Sequence, residues 1–238
     1  ILFTSRPVGD AMATTIWGAS SSWTLTALPL FVWMGEILFR TKLSENLFEG
    51  LAPWLQKLPG GLIHVNVVGC ALFAAISGSS AATVATVGKM SIPELRKRKY
   101  PEKILLGSLA GSGTLGLLIP PSIILIIYGV TVQESIAKLF IAGIIPGIMI
   151  ALIFMGYVII WSLLNKNKMP LTEENYSFLN KLSKSKQLIP VILLILGVIG
   201  SIYTGIATAT EAASLGVVGA LILLSLIHIS EPTRPLGI

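Results

Sequence analysis

Two polar stretches interrupt long apolar runs: FAAISGSSAAT at residues 73–83 and LAGSGTLGLLIPPS at residues 109–122. Their glycine, serine and proline residues are expected to break a helix. Broken backbone is costly in a lipid bilayer, because its N–H and C=O groups find no water there. Such backbone is tolerated where it is buried in protein or lines a cavity. A pair of interrupted segments therefore predicts a membrane protein that binds a solute at the breaks.

The composition is that of an integral membrane protein. Of 238 residues, 53% are hydrophobic and 12% are charged, and the mean hydropathy is +0.83, whereas soluble domains carry about 25% charged residues. The net charge of +6 is concentrated in short loops, which is a signal of membrane topology and not of nucleic-acid binding. The sequence contains no Ser/His/Asp, Cys/His or HExxH arrangement, so we do not expect an enzyme.

The apolar run at residues 61–92 is too long for one membrane crossing and too short for two, because a spanning helix needs about 20 residues. The basic loops at residues 96–103 and 165–186 are separated by two crossings, so they share one side, which their Lys and Arg residues mark as cytoplasmic. The basic loop at residues 40–57 shares that side only if the run makes no net crossing. We therefore predict a re-entrant helical hairpin that turns at residues 77–80.

Residues 104–130 are predicted to form a discontinuous helix, because several glycines loosen its first half. Pro121 removes one backbone hydrogen bond, and the residue before each proline is pushed away from the α-helical region. A new half-helix can begin at Pro121 or Ser122, and Ser112 and Thr114 offer uncharged oxygen ligands. The predicted fold is thus all-α, with one re-entrant hairpin and one discontinuous helix.

The helix ends at these two breaks are suited to binding ions. Carbonyl groups at a C-terminus can hold a small cation such as Na⁺, and N–H groups at an N-terminus can hold a carboxylate. In the hairpin, Gly78 permits a turn with positive φ, and Ser79 or Ser80 can cap the returning arm. Thr83 adds a hydroxyl one turn later. The alternative is that these small residues serve only close helix packing.

Two acidic residues lie in or beside apolar segments. Glu36 precedes Arg40 at helical spacing, which favours an interfacial ion pair. Glu211 lies in an apolar region with Thr208 and Thr210, and an ionisable group there is a candidate functional residue. Because Thr208 and Glu211 also have the spacing of a helix capping box, both interpretations stay open.

A series of short motifs resembles one known family in both order and spacing. The motifs are ALPLF (27–31), GE (35–36), LPGG (58–61), FAAISGSSAAT (73–83), IPE (92–94) with Tyr100, IPPSI (119–123), AGIIPG (142–147), YTG (203–205) and TEAA (210–213). Together they resemble the large membrane subunit of tripartite ATP-independent periplasmic (TRAP) transporters, over residues from about 27 to 224.

The resemblance implies Na⁺-driven uptake of organic acids, such as C4-dicarboxylates or sialic acid, by a multi-pass protein of the bacterial inner membrane. It implies no cofactor other than Na⁺ as the coupling ion. The expected partners are a small four-helix membrane subunit and a periplasmic substrate-binding protein. The family is built from two inverted repeats and moves its solute by an elevator mechanism.

The resemblance also implies roles for residues at both breaks. The residues expected to hold Na⁺ are Ser77, Gly78, Ser79, Gly113, Thr114 and Gly116. Those expected to face the solute are Ser79, Ser80, Thr83, Pro120, Pro121 and Ser122.

The expected organisation follows from the same resemblance. Residues 1–164 form a first repeat that lacks its first helix, residues 165–187 form a cytoplasmic loop, and residues 188–226 begin a second repeat. The chain starts at Ile1 without an initiator Met, so we expect a piece of a longer protein. Residues 227–238 resemble translated sequencing-adapter DNA and are predicted to be non-native.

Two other functions remain open. A stand-alone carrier for Na⁺ and dicarboxylate or citrate would have similar hairpins. A membrane scaffold subunit would have packed breaks without any solute site.

Overall fold

A computed structural model describes residues 8–41, 43–170 and 177–229, and the regular elements of these ranges are helical. The α-helices are α1 (Val8–Ser20), α2 (Ala27–Phe39), α3 (Leu43–Leu55), α4 (Ile63–Ser77), α5 (Ser80–Lys97), α6 (Glu102–Gly113), α7 (Ile123–Val132), α8 (Ile136–Leu164), α9 (Phe178–Ser185), α10 (Ile189–Tyr203) and α11 (Ala209–Ile229). Short 3₁₀ helices are Trp23–Thr26, Thr114–Leu117, Lys166–Lys168 and Lys186–Leu188. The predicted all-α class is confirmed.

Helices α4 and α5 form a helical hairpin with a two-residue turn. Gly78 ends α4 in the left-handed region at φ +60°, and Ser79 is extended. A left-handed residue after the last helical position is the usual way to stop a helix, and glycine adopts it without steric cost. The hairpin extends to Lys97, beyond the predicted boundary at residue 92.

The second break lies between α6 and α7. The chain leaves α6 through the 3₁₀ helix Thr114–Leu117, passes a cis peptide bond between Pro120 and Pro121, and enters α7 at Ile123. Ile119 and Pro120 each precede a proline, which disfavours the α conformation at both positions. The helix is therefore discontinuous where the sequence predicts it, with outer ends at residues 102 and 132 instead of 104 and 130.

Two helical stretches in the described part of the chain are long and apolar enough to cross a bilayer, namely Ile136–Leu164 and Phe178–Tyr203. A third crossing is possible if Val8–Gly18 and Trp23–Phe39, which meet at an angle of 45°, act as one span. Helix α1 was not predicted, because its Gly, Asp, Thr and Ser residues divide its apolar residues into short runs.

The region predicted as a loop at residues 165–187 contains helix α9, and its residues 171–176 lie outside the described ranges. Helix α11 continues to Ile229, past the predicted boundary at residue 226. The rest of the predicted non-native tail, residues 230–238, lies outside the described ranges.

Helix α4 runs through the core, and most of its residues are buried on every side. Phe31 of α2, Phe73 of α4 and Phe140 of α8 are among the largest fully buried side chains. Helix α11 packs along α2 so closely that a Cβ at Gly216 would lie 2.5 Å from Met34 Sδ. The start of the predicted second repeat is thus part of the same core as the hairpin.

Helix α3 is attached to α9 by a small polar and aromatic cluster. The Trp54 indole N–H donates to Ser185 Oγ at 2.7 Å, and Lys181 Nζ lies 5.4 Å from the Trp54 ring centroid. The Phe178 ring meets the Trp54 ring edge-on at 6.4 Å. A Cβ at Gly50 would lie 2.7 Å from Leu188 Cγ, so α3 also touches the 3₁₀ helix that leads into α10. The segment before the hairpin is therefore bound to the segment that starts the second half.

We predict that Trp54→Phe lowers the free energy of unfolding by about 1 kcal/mol, because it removes one hydrogen bond while keeping an aromatic ring. Thermal unfolding in detergent micelles measures the effect. Trp33→Phe, on an exposed position of α2, is the control. Equal shifts in the two variants would show that the contact between Trp54 and Ser185 contributes nothing.

Candidate functional site

The hairpin tip is held in shape by its own hydroxyl groups. Ser79 Oγ accepts a hydrogen bond from the Ala82 backbone N–H at 3.4 Å and caps α5. Ser77 Oγ and Thr83 Oγ1 lie 3.0 Å apart, which ties the end of α4 to the first turn of α5. Ser77 and Thr83 are both buried. The sequence-predicted cap is therefore present, and Ser79 supplies it.

The second break meets this tip directly. The Ile123 N–H, at the start of α7, donates to the Gly78 carbonyl oxygen at 3.2 Å. Ser122 Oγ donates to the Leu117 carbonyl at 2.6 Å, which closes the irregular stretch between the 3₁₀ helix and α7. The second break thus satisfies the backbone carbonyl of Gly78, as buried backbone requires.

Glycines permit this approach of backbone to backbone. A Cβ at Gly116 would lie 2.9 Å from both Ser79 C and Ser80 N, and a Cβ at Gly78 would lie 2.7 Å from the Pro121 carbonyl oxygen. Neither neighbour is a flexible side chain that could move aside. The predicted pairing of residues 77–80 with residues 113–121 is therefore a close physical contact.

Hydroxyl groups in α6 and at the start of the following 3₁₀ helix make hydrogen bonds within the protein. Ser112 Oγ donates to the Ser108 carbonyl at 2.6 Å, and the Asn66 side-chain amide donates to Ser108 Oγ at 3.0 Å, so this group binds α6 to α4. Thr114 Oγ1 donates to the Gly111 carbonyl at 2.7 Å on an exposed face. Thr114 keeps lone pairs for a ligand, but its hydroxyl hydrogen is already engaged.

Three helix ends converge at the tip: the C-terminus of α4 and the N-termini of α5 and α7. A C-terminus carries partial negative charge and an N-terminus partial positive charge. The described residues contain no cluster of His, Cys, Asp and Glu suited to a metal ion. Any cation at this junction would therefore be held by carbonyl and hydroxyl oxygens, which are ligands for hard cations.

A cavity of about 110 Å³ opens beside the tip, on the side that faces α2. Its lining residues are Val32, Gly35, Glu36, Phe39, Ser77, Ser79, Ala82, Ala85 and Thr86. Gly35 lets the chain approach closely, since a Cβ there would lie 3.0 Å from Ser77 Cα. We call this space the α2 cavity.

The family model "Tripartite ATP-independent periplasmic transporter, DctM component" matches residues 1–236. The chain belongs to this family. The resemblance inferred from its motifs is thereby confirmed.

Curated members of the DctM family are similar over most of the chain. The C4-dicarboxylate TRAP transporter large permease protein DctM of Pseudomonas aeruginosa is 35% identical over 218 residues, which cover 92% of this chain and 50% of that protein. The sialic acid TRAP transporter large permease protein SiaM of Vibrio cholerae is 33% identical over 213 residues, covering 89% and 49%. The ectoine/5-hydroxyectoine TRAP transporter large permease protein UehC of Ruegeria pomeroyi is 35% identical over 204 residues, covering 84% and 46%. The chain spans about half the length of these relatives.

The six residues expected to hold Na⁺ in this DctM family chain all lie at or beside the junction of the two breaks. Of those expected to face the solute, Ser79 and Ser80 are half-buried, whereas the other four, Thr83, Pro120, Pro121 and Ser122, are buried. The buried ones pack within the junction, so in this arrangement only the tip serines are open to a ligand.

The prediction from sequence did not include the α2 residues Gly35 and Glu36 in the site. Glu36 Oε1 accepts a hydrogen bond from Arg40 Nε at 2.8 Å, so the expected ion pair is present. The sequence places Glu36 at the membrane interface because of this ion pair. It does not predict that Glu36 also lines the α2 cavity. The motif GE, which lies among the family motifs, was the available signal.

Glu211 forms a capping box at the start of α11. Its Oε2 accepts from the Thr208 backbone N–H and from the Thr208 hydroxyl, each at 2.8 Å, and the Glu211 N–H donates back to Thr208 Oγ1 at 3.4 Å. Thr210 is buried, and its carbonyl accepts from Ser214 Oγ at 3.0 Å. Neither Thr208, Thr210 nor Glu211 lines the α2 cavity. The geometry favours the capping interpretation for Thr208 and Glu211.

We predict that Gly116→Ala destabilises the protein by about 1–3 kcal/mol, because the added methyl pushes the break away from the backbone of Ser79 and Ser80. The control is Gly107→Ala in α6, where a Cβ meets nothing within 4 Å, and where alanine should be neutral or stabilising by up to about 1 kcal/mol. Thermal unfolding of both variants measures the difference. A stable Gly116→Ala variant would contradict the close junction.

We also predict that Glu211→Ala speeds amide hydrogen exchange in the first turn of α11, whereas Glu211→Gln leaves it near the wild-type rate. Glutamine can still accept from Thr208 in a capping box, and alanine cannot. Hydrogen exchange with mass-spectrometric detection measures the rates. Equally fast exchange in both variants would show that the negative charge, and not the cap, is what α11 requires.

Proposed function

We propose that this chain is part of the transmembrane permease of a Na⁺-coupled transporter that imports organic acids. The observation that supports the proposal most is the junction of the hairpin tip with the second break, where the Ile123 N–H meets the Gly78 carbonyl. Two interrupted segments that contact each other at their interruptions are the arrangement found in secondary transporters, where such breaks form the binding site.

The cation side of the proposal rests on oxygen atoms. Ser77, at the end of α4, contributes a hydroxyl that is within hydrogen-bond distance of Thr83, and Gly78 contributes a carbonyl at the tip. The partial negative charge at the C-terminus of α4 adds to their attraction for a cation. Binding of Na⁺ would fix the tip in one conformation, since Ser77 at the end of α4 is bonded to Thr83 in the first turn of α5.

The anion side rests on the N-termini of α5 and α7, which carry partial positive charge near the same point. Ser79 and Ser80 begin α5 and are half-buried, and their hydroxyl groups and the Ser80 N–H can donate to a carboxylate. A cation bound to the tip would strengthen the attraction for the carboxylate, which couples the two ligands. Relatives named for C4-dicarboxylate and for sialic acid support an organic acid as the solute.

In this proposal a periplasmic binding protein delivers the solute, and a small membrane subunit accompanies the permease in the bacterial inner membrane. The names of the relatives describe TRAP transporters, which are tripartite by name. Transport would proceed by an elevator movement of the hairpin and the discontinuous helix relative to the other helices. The small residues where the tip meets α2, such as Gly35, are compatible with such movement.

The two other candidate functions differ in what they require. A stand-alone carrier would transport without a binding protein, so uptake by vesicles that contain the permease alone would favour it. A scaffold would need no opening at the tip, and the α2 cavity beside Ser77 and Ser79 speaks against it.

The test is uptake of a labelled C4-dicarboxylate or sialic acid by vesicles that contain the full-length permease with its partner proteins. We expect uptake to require an inward Na⁺ gradient, and uptake that persists unchanged without Na⁺ would refute the coupling. Ser79→Ala should raise the Na⁺ concentration for half-maximal uptake several-fold, because it removes the cap that shapes the tip. Ser80→Ala should shift it in the same direction.

The matched control is Ser183→Ala on α9, which is exposed and far along the chain from the tip. It should leave both the Na⁺ dependence and the maximal rate unchanged. If Ser79→Ala behaves like this control, the tip does not bind the coupling ion.

A further inference from the structure

The tip is closed on the side of the second break. The Pro121 carbonyl lies against Gly78, and the backbone of Ser79 and Ser80 lies against Gly116. The Val84 side chain fills the space in front of Gly113. Close packing of this kind leaves no passage for a hydrated ion. An ion bound at the tip must therefore arrive from another direction.

The α2 cavity supplies that direction. Its volume of about 110 Å³ is well above the roughly 10–15 Å³ that one water molecule requires, so it has room for several waters. Two of the residues expected to hold Na⁺, Ser77 and Ser79, line it together with Thr86. The cavity thus joins the proposed ion site to the space between α2 and the hairpin.

Glu36 is the ionisable residue among the nine that line this cavity. Its side chain is 49% exposed, so it borders the cavity and the surface of the described chain at once. A carboxylate beside mostly apolar walls attracts cations over several ångströms, because the walls do not screen its charge as water does. Its position is therefore that of a charge that concentrates cations near the tip.

Two cationic side chains are associated with the cavity but are not part of its lining. Arg40 Nε bonds Glu36 Oε1 at 2.8 Å, and its side chain is 75% exposed. Lys89 Nζ lies 5.1 Å from the centroid of the Phe39 ring. Arg40 neutralises part of the charge of Glu36, and both cations oppose the approach of another one. These two cations should weaken the binding of Na⁺, whereas the carboxylate of Glu36 should strengthen it.

We propose that the α2 cavity is the access vestibule for the coupling cation and that Glu36 draws a monovalent cation through it to Ser77 and Ser79. This inference rests on the proposed Na⁺ site at the hairpin tip. As the cation arrives, it replaces Arg40 as the partner of the Glu36 carboxylate. The exposed guanidinium of Arg40 then turns to solvent. The cation then passes from the carboxylate to the tip oxygens, and Glu36 pairs with Arg40 again.

The experiment measures Na⁺ binding to the purified full-length permease, by ²²Na⁺ binding and by Na⁺-dependent change in tryptophan fluorescence. Glu36→Gln should raise the half-saturating Na⁺ concentration about three- to fivefold, the range expected for one partly exposed charge. Arg40→Gln should lower it about twofold, because Glu36 is then no longer neutralised. Glu36→Asp should keep the half-saturating Na⁺ concentration near the wild-type value. This result would show that the negative charge at this position, and not the exact side chain, is what Na⁺ binding requires.

The matched control is Glu94→Gln on α5. Glu94 Oε1 bonds Arg98 Nε at 2.8 Å with the same four-residue spacing, but Glu94 does not line the cavity. This variant should leave Na⁺ binding unchanged. High salt should reduce the effect of Glu36→Gln, since the attraction is electrostatic.

Three results would overturn the inference. Shifts of Glu36→Gln and Arg40→Gln in the same direction would show that the ion pair is only structural. A raised KM for the solute in Arg40→Gln with unchanged Na⁺ binding would make the vestibule a passage for the organic anion. Unchanged Na⁺ binding in Glu36→Gln would show that Glu36 takes no part in the access of the cation, although the proposed site at the tip would not be contradicted. Failure of the wild-type permease to bind Na⁺ would instead refute the proposed function itself.

Discussion

The site depends on one constraint, which is that the backbone groups freed at the two breaks need hydrogen-bond partners. The hydrogen bond from the Ile123 N–H to the Gly78 carbonyl meets this need where the breaks touch. The hairpin and the discontinuous helix are interrupted where they meet, and the interruptions leave backbone groups that neither can satisfy alone. Bringing the interruptions together satisfies part of them and leaves the remaining helix ends pointing at one place. The glycines at positions 78 and 116 exist in this arrangement because any side chain there would hold the two backbones apart.

The sequence was a good guide to the breaks and a poor guide to what surrounds them. The turn at Gly78 and the discontinuity before α7 follow from local chemistry, since left-handed glycine and consecutive prolines restrict the backbone whatever they pack against. The place of Glu36 does not follow from local chemistry. Its helical spacing to Arg40 predicted an ion pair, and the pair exists. Only the packing of α2 against the hairpin shows that the same carboxylate also borders a cavity.

Helix α1 and helix α9 illustrate a second reason for incomplete prediction. Both are short, and neither has a long apolar stripe, so their sequences resemble loops. Helix α9 is ordered by partners distant in sequence, because Trp54 contacts three of its residues, Phe178, Lys181 and Ser185. Structure that is created by long-range contacts carries only a weak local signal, such as the short helical spacing of Phe178, Leu179 and Leu182 in α9. The same holds for the seam between α2 and α11, where Gly216 accommodates the sulfur of Met34.

The contact of Gly35 with Ser77 has a mechanical consequence. Helices that interlock through large side chains must lift those knobs out of their holes before they can slip past one another. At Gly35 the facing surfaces of α2 and α4 consist mostly of backbone atoms. On α5, Ala82 and Ala85 add only small side chains. This boundary therefore offers few interlocking side chains around Gly35, whereas Phe73, at 0% exposure in α4, is held by close packing.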